Sequence, residues 1–120
     1  MKILFADDEK EITDKYIYHL QRDFKNVYGA YDGMEAYRKY KQLQPDVIIL
    51  DMYLPKLCGL EILKRIRKVD QKTVIVVLSA LSERSTIEEA MASHIYDYVI
   101  KPISRGELKE MLGKIENQTK

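Results

Sequence analysis

Five short apolar runs punctuate the chain, and four of them stop at a side chain with definite chemistry. Lys2-Ile3-Leu4-Phe5-Ala6 runs into Asp7-Asp8-Glu9, and Asp46-Val47-Ile48-Ile49-Leu50 runs into Asp51. Thr73 to Leu78 ends at Ser79, and Tyr98-Val99-Ile100 ends at Lys101. The remaining run, Val27 to Tyr31, is weaker and closes on the turn dipeptide Asp32-Gly33. Runs of this length between turn residues predict strands. Thr73 to Leu78 is β-branched almost throughout, the composition of a central strand buried on both sides.

Helical spacing fills the intervals. Asp7-Asp8-Glu9 supplies N-cap and first-turn acids for a first helix carrying Ile12, Tyr16, Leu20 and Phe24 on one face. Met34 to Gln42 predicts a second helix burying Ala36, Tyr37 and Tyr40, which Pro45 then forbids to continue. Beyond Pro55 and Gly59, Ile62, Leu63, Ile66 and Val69 line a third, whose basic run Lys64-Arg65-Ile66-Arg67-Lys68 reads as a solvated outer face. Ser85 with Glu88 and Ser104 with Glu107 have capping-box spacing ahead of a fourth and a fifth helix. Leu108, Met111, Leu112 and Ile115 follow the second box at i, i+3, i+4 and i+7, the clearest amphipathic stripe in the chain.

Strands separated by single helices need right-handed crossovers, hence a parallel sheet covered on both faces. The expectation is a three-layer, doubly wound (βα)5 α/β domain spanning residues 1–120. In open sheets of this kind the site lies beyond the carboxyl ends of the strands, where Asp7, Asp8, Asp51, Ser79 and Lys101 all stand. Taken singly, Asp7 and Asp8 read as helix-start acids, Lys101 as a strand-end lysine and Ser79 as a small polar stop. Their joint placement after four of five runs argues for a site.

Composition narrows the classes. Hydrophobic residues make up 46% and charged residues 32% of the 120, with five Gly and three Pro, which is ordinary globular material. The apolar runs fall far short of the ~20 residues of a membrane span, and no signal h-region precedes the first charged turn, so a cytoplasmic location without membrane contact is expected. The lone Cys58 forms no internal disulfide and reads as a loop thiol without a chemical role. A net charge of +1 gives no basic stripe for direct nucleic-acid binding, and His19 and His94 lack metal-ligand spacing.

From Lys2 to about Ile115 the chain resembles the receiver domain of two-component response regulators. The acid pair after the first strand matches Asp7-Asp8, the phosphoacceptor matches Asp51, and the loop after it matches Pro55 and Gly59. The hydroxyl followed by a small residue matches Ser79-Ala80, Lys-Pro matches Lys101-Pro102, and the aromatic three residues before that Lys matches Tyr98.

The resemblance implies a flavodoxin-like sheet in the order 2-1-3-4-5 and a cis Lys101-Pro102 bond. It implies Mg²⁺ held by Asp8, Asp51 and the Tyr53 backbone carbonyl, with Asp7 acting mainly through water. Three converging carboxylates do call for a cation, and Mg²⁺ takes oxygen ligands. Asp51 would accept a phosphoryl group from a sensor histidine kinase, a phosphotransfer protein or a small phosphodonor, assisted by Ser79 and Lys101. Ser79 and Tyr98 would then move, Tyr98 from exposed to inward, remodelling the face of the fourth helix, fifth strand and fifth helix. The output is a changed affinity for an effector protein or a missing output domain, without enzymatic turnover. Family members that dimerise through that face usually carry Arg at the position of Met111, so a monomer is expected before phosphorylation. Tyr53 and Leu81, two residues beyond Asp51 and Ser79, flank the path of the attacking water and imply slow self-dephosphorylation.

Rival readings meet specific obstacles. A Mg²⁺-dependent aspartyl-phosphate phosphatase would want a second acid at Tyr53, and a flavin-binding carrier would want a phosphate loop where Asp7-Asp8-Glu9 repels phosphate. No effector domain follows Lys120, which leaves a stand-alone receiver or a piece of a longer regulator.

Overall fold

The computed structural model describes residues 1–80 and 83–118. Strands and helices alternate: β1 Lys2–Ala6, α1 Lys10–Leu20, β2 Asn26–Ala30, α2 Gly33–Leu43, β3 Val47–Leu50, α3 Gly59–Val69, β4 Val74–Ser79, α4 Arg84–Met91, β5 Asp97–Ile100 and α5 Arg105–Gln118. The five strands form one parallel sheet in the order β2-β1-β3-β4-β5, as the resemblance implied.

Alternation along the strands divides the core in two. Leu4, Ile48, Leu50, Ile75 and Val77 pack with Tyr40, Ile62, Leu63 and Ile66 on one face. Ile3, Phe5, Val47, Ile49, Val76 and Leu78 pack with Leu20, Leu108, Leu112 and Ile115 on the other. β3 is buried at every position, as a strand covered on both faces must be. Among the described residues no helix is long and apolar enough to cross a membrane.

Several local expectations are corrected. In α1 the buried face is centred on Thr13 and Leu20, with Tyr16 and Ile17 half-buried, while Ile12 is 48% exposed and Phe24 is buried beyond the helix end. Thr13 is tolerated inside because its hydroxyl donates to the Asp7 carbonyl. Val69, the last residue of α3, is 79% exposed instead of lining the core, since it lies past the stretch of helix that meets the sheet.

The capping box at Ser85 does not form. The N-cap of α4 is Glu83, two residues earlier and without a side-chain cap, and Glu88 pairs with Arg84 at 2.9 Å. Ser104 does cap α5, accepting the Glu107 N–H at 3.1 Å. Asp32 caps α2 through the Glu35 N–H at 2.8 Å, so the Asp32-Gly33 turn is a helix start. The basic run on α3 is solvated only in part: Arg67 is half-buried and donates to the Asp70, Ser93 and His94 carbonyls.

Candidate phosphoacceptor site

The parallel register brings the strand ends into line. Asp51 follows β3 directly, and its N–H donates to the Ala6 carbonyl at 3.0 Å, which seats it beside the end of β1. Asp7 is tied in the same way to Ala30 at the end of β2, at 3.0 Å. Lys101 donates its backbone N–H to the Ser79 carbonyl at 2.9 Å, closing the β4–β5 edge of the site. The Lys101-Pro102 peptide is cis.

Side chains converge across those ends. The Lys101 ammonium donates to Asp7 Oδ2 at 2.5 Å and to Asp51 Oδ2 at 3.0 Å, and it lies 3.3 Å from Glu9 Oε1. Asp7 and Asp51 are buried, Asp8 is exposed, and one carboxylate oxygen from each of the three lies within 4.8 Å of the others. The second oxygen of Asp51 accepts the Tyr53 N–H at 3.1 Å. Asp7 Oδ1 accepts the Glu9 N–H at 3.1 Å, and no side chain caps α1, so the acid cluster serves the sheet end and not the helix start.

The electrostatics follow from burial and this one cation. Burial pushes the Asp51 carboxyl above its ordinary value, with the Asp7 charge adding to the rise, against the pull of the Tyr53 N–H and Lys101. For Lys101, burial alone would lower the ammonium's pKa, but its hydrogen bonds to Asp7 and Asp51 outweigh that and raise it. One ammonium thus faces four carboxylates, Asp7, Asp8, Glu9 and Asp51, which leaves the cluster at a formal −3. Three hard oxygen donors in reach of one another, opening to solvent at Asp8, fit a small divalent cation.

Ser79 is fully buried and Tyr98 half-buried beside it. The Tyr98 phenol is raised in pKa first by burial, its hydrogen bond with the Ser79 side chain opposing. The expected exposed starting position of Tyr98 is therefore corrected: its ring packs against the cluster that includes Ile75 and Val77, and its hydroxyl finds Ser79, which satisfies both ends of an amphipathic side chain. Tyr53 directs its side chain outward, 63% exposed. Leu81 lies outside the described residues. Met111 is half-buried against the α5 side of the core.

Three contributors were not read as site residues in the sequence. Glu9 reaches Lys101 across 92 residues of chain, and its place directly after the acid pair was the available signal. Thr13 backs Asp7, with nothing in hydropathy to reveal it. Gly59 is required by close approach: a Cβ there would stand 2.1 Å from the Asp51 carbonyl oxygen, and its N–H donates to Met52. A cavity of about 630 Å³ lies at the other end of the sheet against Tyr40, Pro45 and Asp70, and shares no residue with this cluster.

Comparison with known proteins agrees with the geometry. The family model for the response regulator receiver domain matches residues 3–113. The chain is 30% identical over 121 residues to the chemotaxis protein CheY of Thermotoga maritima, covering 95% of this chain and 96% of that one. It is 37% identical over 114 residues to PhoP, the alkaline phosphatase synthesis transcriptional regulatory protein of Bacillus subtilis, covering 95% of this chain but 48% of that regulator. Among solved structures, the N-terminal domain of an uncharacterized Wolinella succinogenes protein superposes with a TM-score of 0.94 at 34% identity, over 99% of this chain and 96% of that one.

Proposed function

Because this chain belongs to the response regulator receiver domain family, we propose that it is a phosphorylation-operated switch in which Asp51 is the acceptor. The observation that carries the reading is the Lys101 ammonium bridging Asp7 and Asp51, since a buried strand-end carboxylate held between a cation and two further acids is a nucleophile awaiting charge neutralisation. A carboxylate oxygen of Asp51 attacks the donor phosphorus. The bond from phosphorus to the donor's nitrogen or oxygen breaks, its electron pair leaves with the donor, and an acyl phosphate remains on Asp51.

Asp8, Asp51 and the Tyr53 backbone carbonyl would hold Mg²⁺, with Asp7 reaching it mainly through water. Bound there, the ion offsets charge on the transferring oxygens and aligns them. Lys101 and the Ser79 hydroxyl flank the same oxygens from the other side. The expected donors are a sensor histidine kinase, a phosphotransfer protein or a small acyl phosphate.

Phosphorylation adds about −1.5 to −2 charge and three acceptor oxygens, which would draw the Ser79 hydroxyl and favour the inward position that Tyr98 already occupies here. The face formed by α4, β5 and α5 then changes its affinity for an effector. Neither Tyr53 nor Leu81 carries an amide or a carboxylate that could orient an attacking water, which favours a long-lived phosphorylated state.

Acetyl phosphate with Mg²⁺ tests the acceptor. Intact mass should gain one phosphate in the wild type and none in Asp51→Asn. Label that persists on the variant, or never appears on the wild type, overturns the assignment.

A further inference from the structure

On the side of β5 opposite Tyr98, a groove of about 390 Å³ runs between that edge strand and α5. Its floor is apolar: Val99 and Met111 are half-buried and Ile103 is 8% exposed. Its rim is acidic, with Asp97, Glu107 and Glu110 against a single cation, Lys114, already 3.6 Å from Glu110. Three acids against one lysine leave the groove at a formal −2, on a chain whose total is +1. The other flank of α5 is the reverse. There His19, Arg22, Arg105 and Lys109 face a lone acid, Asp23.

That asymmetry selects the occupant. A second copy docked groove to groove about a two-fold axis would set Asp97, Glu107 and Glu110 against their own images. Nucleic acid and anionic lipid would meet the same repulsion. We propose that the groove receives a basic amphipathic helix of a partner protein, its apolar residues on Val99, Ile103 and Met111 and its Lys or Arg side chains against Asp97 and Glu107. Exposed Tyr96 extends the apolar contact at one end. This rests on reading the α4-β5-α5 face as the output face of the switch, and it assigns the chemistry of what that face binds.

Two synthetic amphipathic peptides with identical Leu and Ala positions, one bearing Lys and the other Glu elsewhere, supply the probe. Fluorescence anisotropy follows each against the whole chain with and without acetyl phosphate and Mg²⁺, while intact mass reports the phosphate on Asp51. The Lys peptide should bind and the Glu peptide should not. The double variant Glu107→Lys, Glu110→Lys, at two exposed positions, should weaken the Lys peptide by about tenfold or more, about 1.4 kcal/mol, and should admit the Glu peptide, a gain that an unfolded variant would not give. Equal binding of the two peptides, or an unchanged preference after charge reversal, overturns the proposal. So does self-association that covers the groove with a second copy. If Asp51 takes phosphate and the Lys peptide never binds, the groove assignment falls and the switch stands. If the Lys peptide binds equally well with and without phosphate, the groove assignment stands and the switch falls.

Discussion

Arg67 should be worth far more to this protein than any other member of its basic run, because α4 depends on it. That helix has eight residues, no side-chain N-cap and only Ala90 buried. Its C-terminal turn passes through His94 in the left-handed region, at φ 58°, which costs energy outside glycine. Arg67 reaches across from α3 and donates Nε to the Ser93 carbonyl at 2.9 Å and Nη2 to the His94 carbonyl at 3.0 Å. Nη1 goes to the Asp70 carbonyl on its own helix end, also at 3.0 Å.

A charged hydrogen bond contributes about 1.5–3 kcal/mol when well buried. These three lie near the surface, where water can replace a lost donor, so ~1 kcal/mol each is the better figure, and Arg67→Ala should cost about 3 kcal/mol. For a domain of this size each kcal/mol moves the midpoint by roughly 3–5 °C, which predicts a fall in Tm on the order of 10 °C. Arg65 on the same helix pairs with Glu61 at 3.1 Å and lies over the Tyr37 ring, 5.5 Å from its centroid, both near the surface, and Arg65→Ala should cost only ~1 kcal/mol. Arg67→Lys, a single point donor in place of a planar fork, should recover less than half of the loss. Circular-dichroism melts of the three variants decide the ranking, and hydrogen exchange should locate the loosening at residues 92–96. If Arg67→Ala melts with Arg65→Ala, the guanidinium is a surface charge after all and α4 is held by its apolar contacts alone.

Calorimetric titration with Mg²⁺ should give binding heat for the wild type and much less for Asp8→Ala; equal heats would remove Asp8 from the ligand set. Gly59→Ala should lose about 2 kcal/mol or more and phosphorylate poorly, because its Cβ would press on the Asp51 carbonyl; a stable, fully reactive variant would contradict that close approach. Asp70 provides a pH signature: burial alone would raise its pKa, but hydrogen bonds from Thr73, Tyr40 and the Lys72 N–H hold it well below 3.8. With the folded value depressed, its stabilisation is present above that ordinary value and is lost as pH falls toward the folded one, so urea unfolding from about pH 5 to about pH 2 should be flatter for Asp70→Asn, and matching slopes would remove Asp70 from the acid limb. Sedimentation at micromolar concentration should find the unphosphorylated chain monomeric, and a stable dimer would show that Met111 in place of Arg does not weaken self-pairing.

The sheet was legible because each of its strands is an apolar run ended by a charge, a hydroxyl or a turn, and such runs have few alternatives in a parallel sheet. The site was legible for a related reason: a carboxylate or ammonium at the end of a buried strand is costly unless partnered, so Asp51 and Lys101 each implied the other. What remained hidden was compensation between elements. Thr13 is polar by composition and buried by virtue of one carbonyl 6 residues earlier. Ile12 has the right spacing for the core, but the helix is rotated so that Thr13 meets the sheet. Arg67 looked like its solvated neighbours because two of its three acceptors lie on another loop, 26 and 27 residues away. The capping box at Ser85 failed because the helix begins at Arg84 and takes Ser85 inside it, and the Glu88 carboxylate pairs with Arg84 instead.

Ser79 is where the acceptor site and the proposed output face become one system. Its hydroxyl has a single proton to donate and two lone pairs to offer, and it is already hydrogen-bonded to Tyr98, so in the proposed switch a phosphoryl oxygen on Asp51 would take that proton and leave the lone pairs of Ser79 to the phenol. The two contacts then reinforce each other instead of competing, since a hydroxyl that donates strongly also accepts more strongly. β4 and β5 pair Val77 with Tyr98 and Ser79 with Ile100, and the Lys101 N–H fastens the end of that ladder to Ser79. In the proposed switch, the side chain that would bind the phosphoryl group and the ring that would reshape the face therefore share one strand pair. In the proposed switch the phosphoryl group can shift the face only by the difference between its contacts in the two positions of Tyr98. A single added hydrogen bond of about 1–1.5 kcal/mol already changes such an equilibrium by roughly tenfold. A buried serine with one partner on each side is enough to couple them, and no longer chain of contacts is required.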